Sequence, residues 1–397
     1  MSEPIIQKIK TLAAAFAPDT IRVRQHLHAH PELSFQEHNT AAFVEEHLKE
    51  MGLQPQRMAE TGVVALIEGR NAAKKIIALR ADLDALPIQE KNEVAYKSKQ
   101  DGIMHACGHD VHTASVLGTA RILQELRQEF EGTVKLIFQP GEEKFPGGAS
   151  VMIKEGVLQN PAPQSIFGQH VFPLLPAGKV GFRSGMYMAS ADEIYMTVKG
   201  KGGHAAIPEM NVDPVLIASH IIVALQQIVS RHASPKVPTV LSFGKVVANG
   251  ATNVIPEEVK LEGTFRTMNE EWRAEAHRRI KKMAEQIAEA MGGACEVDIK
   301  KGYPYLQNNP ELTNRAREAA KAYLGEENVT ELDLWMGAED FAYYSQEVPA
   351  CFYRLGTRNE DRGITSSVHT PTFDIEETAL ETGIGLMAWL ALQELSE

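Results

Sequence analysis

Cysteine is scarce in this 397-residue chain, which contains only Cys107, Cys295 and Cys351, spread far apart. A disulfide framework needs an even set of cysteines at short, regular spacings, so this composition argues against a disulfide-stabilised fold. A reducing cytoplasm is the simplest compartment for such a protein, and it would keep Cys107 available as a thiolate ligand. We therefore predict a cytoplasmic protein.

Long apolar runs and an excess of basic charge are also missing. No stretch of about 18 apolar residues occurs, so the sequence indicates no transmembrane helix, and residues 1–4 lack the basic-then-apolar order of a secretory signal. The 40 basic and 52 acidic residues give a net charge of −12, and no basic run is present to neutralise phosphates. We expect neither a membrane nor a nucleic acid as partner.

The chain is too long for one ordinary core, so two domains are expected. Apolar runs alternate with helical patterns in the first half, which favours a mostly parallel sheet flanked by helices. From about residue 189 the pattern changes to half-exposed strands and two helices. We predict an α/β catalytic domain over residues 1–188 and 301–397, interrupted by a smaller α+β domain over residues 189–300. The strands predicted for the first half are 62–68, 76–79, 134–138 and 165–171, and the helices are 4–16, 40–51 and 110–130.

The most informative segment is 104–112, which packs one Cys, three His and one Asp into nine positions before a helical pattern. Thiolate and imidazole are the groups that bind zinc-like metals best. Cys107 and His109 taken by themselves are weak evidence for a metal site, because a buried Cys usually packs as a small hydrophobe. Their polar, glycine-rich neighbours favour ligation. For His105 and His112, a surface or supporting role is as well indicated as catalysis.

Acidic residues and two further histidines follow other apolar runs. Glu142 and Glu143 come after a tight turn, and hydrolysis needs one carboxylate on a metal and another free to take a proton. His170 and His369, taken singly, could be core histidines, but beside the other groups we favour ligation. Ligands of open α/β sheets gather at the carboxyl ends of strands, so these positions converge on one crevice.

Five motifs together resemble the aminoacylase / carboxypeptidase G metallopeptidase superfamily. More closely, the chain is similar to its amidohydrolase branch, which contains hippurate hydrolases, N-acyl-amino-acid amidohydrolases and auxin-conjugate hydrolases. The resemblance covers nearly the whole chain, from Leu27-His28 to His369. The motifs are RADLDALP at 80–87, CGHD at 107–110, QPGEE at 139–143, GGHA at 202–205 and GAEDF at 337–341.

The resemblance implies a catalytic domain interrupted by a lid domain that also forms a homodimer or a higher oligomer. It implies two divalent metal ions bridged by Cys107, with Glu143 and His369 on one ion and His109 and His170 on the other. Glu142 is the implied general base.

The acidic motif at 82–84 departs from the wider superfamily, in which a carboxylate usually bridges the ions and a His-x-Asp motif supplies a ligand. Here Cys107 stands at the bridge and Asp82-Leu83-Asp84 stands where that motif falls. The resemblance therefore does not assign Asp82 as a ligand. Asp84 is expected to hold a ligand histidine by hydrogen bonding.

Three residues in the later part of the chain resemble substrate-binding positions of the family. His204 resembles the histidine that polarises the scissile carbonyl, although a turn histidine in a glycine-rich loop would look the same. Asn253 and Arg266 resemble residues that bind the substrate carboxylate, which suits the planar guanidinium fork, although a solvated arginine on a polar strand face would also fit. We expect the backbone around Gly337 to be a further anchor for that carboxylate.

We therefore predict a metal-dependent amidohydrolase that cleaves N-acyl-L-amino acids, with zinc, manganese, cobalt or nickel as its metal. A dipeptidase or aminopeptidase of the same superfamily is one alternative. A catalytically silent metal-binding protein on the same fold is another, although the presence of Glu142, His204 and Arg266 argues against it.

Overall fold

The computed structural model describes residues 3–397, which form two compact units. Unit 1 consists of residues 3–185 together with Gln307–Asp333 and Asp340–Glu397. Unit 2 consists of Met186–Leu306 and Leu334–Glu339.

The helices and strands are numbered here in chain order. The helices are α1 (Glu3–Ala29), α2 (His38–Glu50), α3 (His109–Glu125), α4 (Gly148–Lys154), α5 (Pro214–Gln227), α6 (Glu270–Ala290), α7 (Pro310–Leu324), α8 (Ala342–Glu347) and α9 (Ala379–Ser396). The strands are β1 (Gln56–Met58), β2 (Gly62–Glu68), β3 (Ile76–Asp82), β4 (Thr133–Gln139), β5 (Ser165–Pro176), β6 (Val180–Phe182), β7 (Gly185–Met188), β8 (Asp192–Lys199), β9 (Gly203–His204), β10 (Thr239–Ala248), β11 (Val254–Ile255), β12 (Glu258–Thr267), β13 (Ala294–Lys301), β14 (Leu306–Asn308), β15 (Val329–Glu331) and β16 (Ala350–Arg358).

Unit 1 is built on an eight-stranded sheet with the order β1-β2-β4-β3-β5-β16-β6-β15. Its four central strands, β4, β3, β5 and β16, run parallel, whereas β2 pairs with β4 in the antiparallel sense. All seven residues of β4 are buried, as expected for a strand covered on both faces. The predicted α/β class, with a large and mostly parallel sheet flanked by helices, is confirmed.

The first helix differs from the prediction because it continues to Ala29 instead of ending near residue 16. Its second half buries Thr20, Arg24, Leu27 and His28, which share one helix face. Three of these four side chains are polar, so the apolar periodicity that we read from the sequence stops while the buried face continues.

Unit 2 contains a four-stranded antiparallel sheet with the order β10-β12-β8-β13, and two helices, α5 and α6, that pack together. The buried residues of β8 alternate with its other residues along the strand. Asp213 begins α5 by accepting hydrogen bonds from two backbone N–H groups of its first turn, the N-cap that the Asp213-Pro214 pair predicts. Strand β13 was not predicted, since most of its residues are exposed or half-buried.

Among the described residues, one helical segment, Pro214–His232, is long and apolar enough to cross a membrane by length and composition. In the structure its residues Ile217, Ile221 and Leu225 belong to the buried core of unit 2. A core helix passes the same length and composition test, and we assign the segment to the core.

Candidate active site

The predicted site residues of unit 1 come together at the ends of the central strands. Strand β3 ends at Asp82 and β4 ends at Gln139, and these two residues are register partners. Arg80 of β3 lies opposite Gly168 of β5, two residues before His170. Helix α3 begins at His109, and its Thr113 donates a hydrogen bond to the backbone oxygen of Asp82 at 2.7 Å. Strand pairing and this contact bring these segments of unit 1 to the same end of the central strands.

Two groups of potential ligand atoms share the sulfur of Cys107. Cys107, His109 and His170 offer atoms that all lie within 4.8 Å of one another, and so do Cys107, Glu143 and His369. The sulfur lies 3.3 Å from Nε2 of His369 and 3.5 Å from Nε2 of His170. One thiol, three imidazoles and a carboxylate around a shared atom form a donor set that suits a pair of transition-metal ions.

His109 supplies a second indication that the cluster fits a metal. Its Nδ1 is hydrogen-bonded to the backbone oxygen of Asp84 at 2.8 Å and lies 3.1 Å from the Asp84 carboxylate. Its Nε2 is buried and makes no hydrogen bond, with Oδ2 of Asp82 3.7 Å away, beyond hydrogen-bonding distance. A buried polar atom without a partner is costly, and an imidazole held through Nδ1 is the arrangement by which proteins aim Nε2 at a metal.

Asp84 links several parts of the site. Its Oδ2 accepts hydrogen bonds from the hydroxyl of Ser34 at 2.6 Å and from the backbone N–H of Glu143 at 3.0 Å. Burial alone would raise the pKa of the Asp84 carboxyl, but the hydrogen bond from His109 and the other contacts outweigh burial, and the pKa falls below its ordinary value. Asp84 is therefore an anionic acceptor for the proton on Nδ1 of His109.

The neighbouring carboxylate, Asp82, is occupied by other partners. His112 Nδ1 donates to its Oδ1 at 2.6 Å, and Arg80 pairs with its Oδ2. Nε2 of His112 accepts the backbone N–H of Val171 at 2.9 Å, so both nitrogens of this ring are used and it braces β5 beside His170. His105 and His112 are both buried, which rules out the surface role that the sequence left open for them.

The electrostatics of the remaining ligand candidates follow from burial and contact. Burial lowers the pKa of His170 well below its usual value, which keeps the imidazole in the neutral form that binds metals. Contacts with Cys107 and Glu143 raise the pKa of His369 to about 10. The loop that carries His369 is fixed by a backbone hydrogen bond from its N–H to the oxygen of Ala106, at 2.7 Å.

Glu142 lies beside this cluster and is buried. A carboxylate oxygen of Glu142 is within 4.8 Å of ligand atoms of His109 and Glu143, and its Oε1 accepts the backbone N–H of Asp340 at 3.3 Å. The Asp340 carboxylate is held in turn by Arg80 and Gln139. The sequence motifs contained Arg80 and Asp340, but nothing in the spacing showed that a salt bridge between them would support Glu142.

The remaining predicted residues belong to unit 2. His204 pairs with Val254 across β9 and β11, and the Ala205 N–H donates to the backbone oxygen of Asn253 at 3.0 Å, so His204 and Asn253 are neighbours. Arg266 lies on β12, and its Nη1 is buried without a hydrogen-bond partner. The backbone oxygen of Gly337, on a separate segment, accepts the N–H of Ala189.

Comparison with known proteins gives a consistent result. The family model of peptidase family M20/M25/M40 matches residues 78–393. The N-acetylcysteine deacetylase of Bacillus subtilis is 42% identical over 385 residues, which is 95% of this chain and 97% of the relative. This chain belongs to peptidase family M20/M25/M40. The amidohydrolase that the motifs predicted is confirmed at this level: the protein is an M20-family hydrolase that acts on amide bonds.

Two further comparisons extend the M20 assignment. The N-acyl-L-amino acid amidohydrolase of Geobacillus stearothermophilus is 42% identical over 306 residues, covering 77% of this chain and 82% of the relative. The crystal structure of the Bacillus subtilis YXEP protein, described as a dinuclear metal-binding peptidase of the M20 family, has a TM-score of 0.83 and 38% identity, and the match covers 96% of this chain and 99% of that one. The M20 fold is therefore shared along nearly the whole chain.

Proposed function

We propose that this M20 hydrolase cleaves the amide bond of N-acyl-L-amino acids and uses two divalent metal ions. The observation that carries the proposal is the pair of ligand groups that share Cys107, with the buried carboxylate of Glu142 next to them. Similarity to a deacetylase of N-acetylcysteine and to an N-acyl-L-amino acid amidohydrolase supports the substrate class.

In this proposal Cys107, Glu143 and His369 would hold one ion, and Cys107, His109 and His170 would hold the other. The dinuclear site named for the similar Bacillus subtilis peptidase supports a pair of ions, and the donors suit zinc, manganese, cobalt or nickel. When bound, such ions polarise the amide carbonyl and bring the pKa of water toward neutrality.

The side chains of the chain supply the proton transfers and the binding. Glu142 takes the proton from the attacking water and then delivers it to the leaving amine. The Asp340 N–H donates to Oε1 of Glu142 at 3.3 Å and so helps to orient its carboxylate. His204 is assigned to hydrogen-bond the developing oxyanion.

The free carboxylate of the substrate is assigned to Asn253, Arg266 and the backbone at Gly337. A buried guanidinium nitrogen without a partner, as in Arg266, supports this role, since a carboxylate ligand would satisfy it in a bidentate pair.

For the rest of the molecule, we assign catalysis to unit 1 and the lid and dimerisation role to unit 2. Two apolar side chains of α5 are largely exposed, Leu216 at 52% and Val223 at 74%, and β10 lies at an edge of its sheet. Exposed apolar side chains beside an open strand edge support a homodimer, or a higher oligomer, formed through unit 2. We place the protein in the cytoplasm.

The test is to strip the protein of metal and to resupply zinc, manganese, cobalt or nickel. Hydrolysis is then measured against hippurate, a series of N-acetyl-L-amino acids, and dipeptides with free amino groups. Metal-restored cleavage of the acylated compounds in preference to the dipeptides is the expected result. A preference for free-amine dipeptides would replace the proposal with a peptidase, and no turnover with any metal would favour a silent metal-binding protein.

A further inference from the structure

The loop between α1 and α2 carries a buried carboxylate that the metal cluster does not use. Glu37 is 0% exposed. Its Oε1 accepts hydrogen bonds from the backbone N–H groups of Phe35 at 2.9 Å and Gly141 at 2.8 Å. Its Oε2 accepts a hydrogen bond from the hydroxyl of Thr61 at 2.6 Å. Burying an ionisable carboxyl is costly unless it is hydrogen-bonded. The role of Glu37 must therefore lie in the three groups that donate to it.

The side chain of Glu37 does not cap the helix that it precedes. It occupies the N-cap position of α2, but its side chain makes no capping hydrogen bond. The first turn of α2 is capped instead by Glu32, whose carboxylate accepts the backbone N–H groups of Asn39 and Thr40. The contact with Gly141 therefore needs another explanation.

Gly141 is the residue directly before Glu142, and the loop holds it in two ways. Its φ is +57°, a left-handed conformation that favours glycine. A Cβ at this position would lie 2.5 Å from the ring of Phe35, so that ring packs against the turn while Glu37 accepts the N–H of the same residue.

The same loop also reaches the far side of Glu142. Ser34 donates to Asp84, and Asp84 accepts the backbone N–H of Glu143 at 3.0 Å. The backbone N–H groups before and after Glu142 are thus each anchored on a buried carboxylate, Glu37 on one side and Asp84 on the other. Glu142 lies on a short segment that is fixed at both ends.

We propose that Glu37 is a positioning residue for the general base: by accepting the Gly141 N–H it sets the direction in which the Glu142 carboxylate points. The inference rests on the proposed role of Glu142. It predicts that losing this one hydrogen bond lowers the rate of the chemical step and leaves substrate binding and metal content unchanged, since a misplacement of about 1 Å in a catalytic group can cost about 100-fold.

The test compares two substitutions of similar size, Glu37→Met and Glu37→Gln. Methionine offers the Gly141 N–H only the weak acceptor of a thioether sulfur, whereas the glutamine oxygen can accept both backbone N–H groups while its amide donates to Thr61. With the metal-loaded enzyme and its best N-acyl-amino-acid substrate, we expect Glu37→Met to lower kcat by about 10- to 100-fold. KM and the number of bound metal ions should stay close to wild type, and Glu37→Gln should restore kcat to within about threefold.

The control is Thr61→Val, which removes a hydrogen bond to Glu37 and leaves the Gly141 contact in place. A loss of kcat in Thr61→Val as large as in Glu37→Met would overturn the proposal, because the whole network and not the Gly141 contact would then be responsible. So would a Glu37→Met enzyme that unfolds at a lower temperature but keeps the wild-type kcat. If Glu37→Met does not fold, Glu37→Asp takes its place, since a side chain one methylene shorter cannot reach both N–H groups. A wild-type kcat in folded Glu37→Asp would overturn the proposal equally.

Hydrogen–deuterium exchange of the peptide spanning residues 139–143 tests the anchoring of Gly141 by Glu37 independently of the proposed amidohydrolase activity. Faster exchange in Glu37→Met than in Glu37→Gln is expected, and equal exchange in both would overturn the anchoring of Gly141. If the wild-type enzyme cleaves no amide with any metal, the proposed function fails, and the exchange experiment still decides whether Glu37 holds the turn.

Discussion

Two adjacent glutamates are assigned different tasks at the active site, and the difference can be tested residue by residue. Glu142→Gln should lower kcat by at least about 100-fold, because a general base contributes about 100- to 10,000-fold, while metal content stays at the wild-type level. Glu143→Gln is the matched control and should reduce metal content, since it removes a proposed ligand. Metal analysis and kcat on the same samples decide it. Near-normal turnover in metal-loaded Glu142→Gln would make the general-base assignment wrong.

Asp84 touches no substrate in this proposal and acts through His109. Asp84→Asn removes the anionic acceptor for Nδ1 of His109, so we expect metal affinity to fall by about 10- to 100-fold, as is usual for partners of ligand histidines. Ser34→Ala removes only a donor to Asp84 and should weaken affinity less. Competitive titration with a chelating dye measures both. Equal affinity in wild type and Asp84→Asn would show that this contact does not tune the site.

At the scale of elements, the start of α3 depends on a glycine. Gly108 has a φ of +82°, and a Cβ there would lie 2.5 Å from Cγ2 of Val171. Gly102 has a similar φ of +75°, but nothing lies within 4 Å of a Cβ at that position. The two glycines form a matched pair that separates backbone strain from a steric clash between α3 and β5.

We expect Gly102→Ala to cost about 1–2 kcal/mol of unfolding free energy, the ordinary penalty for a left-handed alanine. Gly108→Ala should cost about 1–3 kcal/mol more, because the strand must move to make room. It should also lower metal content, since Val171 follows His170. Urea unfolding and metal analysis are the measurements. Equal effects in the two variants would contradict a clash at Gly108.

Elements whose buried residues are apolar were predictable from the sequence, and elements that bury polar side chains were not. Strands β2 and β4 agree closely with the predicted segments because their apolar residues are nearly continuous. The second half of α1 was missed since Arg24 and His28 are buried there with Asp110 as their partner, at 2.8 Å from each. Pairing between segments far apart in sequence satisfies these groups, and local periodicity contains no trace of it.

At the scale of the whole molecule, metal should stabilise unit 1 and not unit 2. Its proposed ligands all lie in unit 1, and a ligand that binds only the folded state stabilises it by about 2.7 kcal/mol at a concentration 100 times its Kd. Chelation should therefore increase hydrogen exchange in the strands of unit 1 and leave β8 and β12 of unit 2 unchanged. A uniform increase in both units would show that they unfold as one.

The stability of unit 2 should vary with pH because of the buried carboxyl of Asp192. Burial would raise the pKa of this carboxyl, but hydrogen bonds from His277 and Arg273 outweigh burial and the pKa lies below its usual value. The folded-state pKa lies below the unfolded value of about 3.9. The charged Asp192 therefore stabilises unit 2 fully above about pH 4, and this stabilisation is lost as the pH falls from there through the folded-state pKa.

Asp192→Asn should therefore destabilise unit 2 at pH 7, by about 3 kcal/mol, because it removes the buried anionic partner of Arg273 and leaves only Glu270 paired with that guanidinium. The difference between mutant and wild type should shrink below about pH 4. Glu193→Gln, at an exposed position next to it, is the control and should have little effect. Thermal unfolding at pH 3 to 7 measures both, and a difference independent of pH would oppose the role of the Asp192 charge.

The sequence by itself determined the class of fold and the kind of chemistry. Buried strands alternating with helices leave few architectures, and a cluster of cysteine, histidine and acidic residues at strand ends has few uses other than metal binding. The amidohydrolase assignment followed from motifs that are local in sequence, each of which can be read without knowing where the others lie.

Only the tertiary structure decided which groups hold the candidate ligands in place and which are paired with other side chains. The resemblance already assigned Asp84 to a ligand histidine, but only the structure shows that this histidine is His109 and that Asp82 pairs with Arg80 and His112. The anchoring of Gly141 by Glu37 likewise joins segments that are distant in the chain. Such contacts depend on the register of neighbouring strands and on the path of a loop, which long-range packing sets and local sequence does not encode.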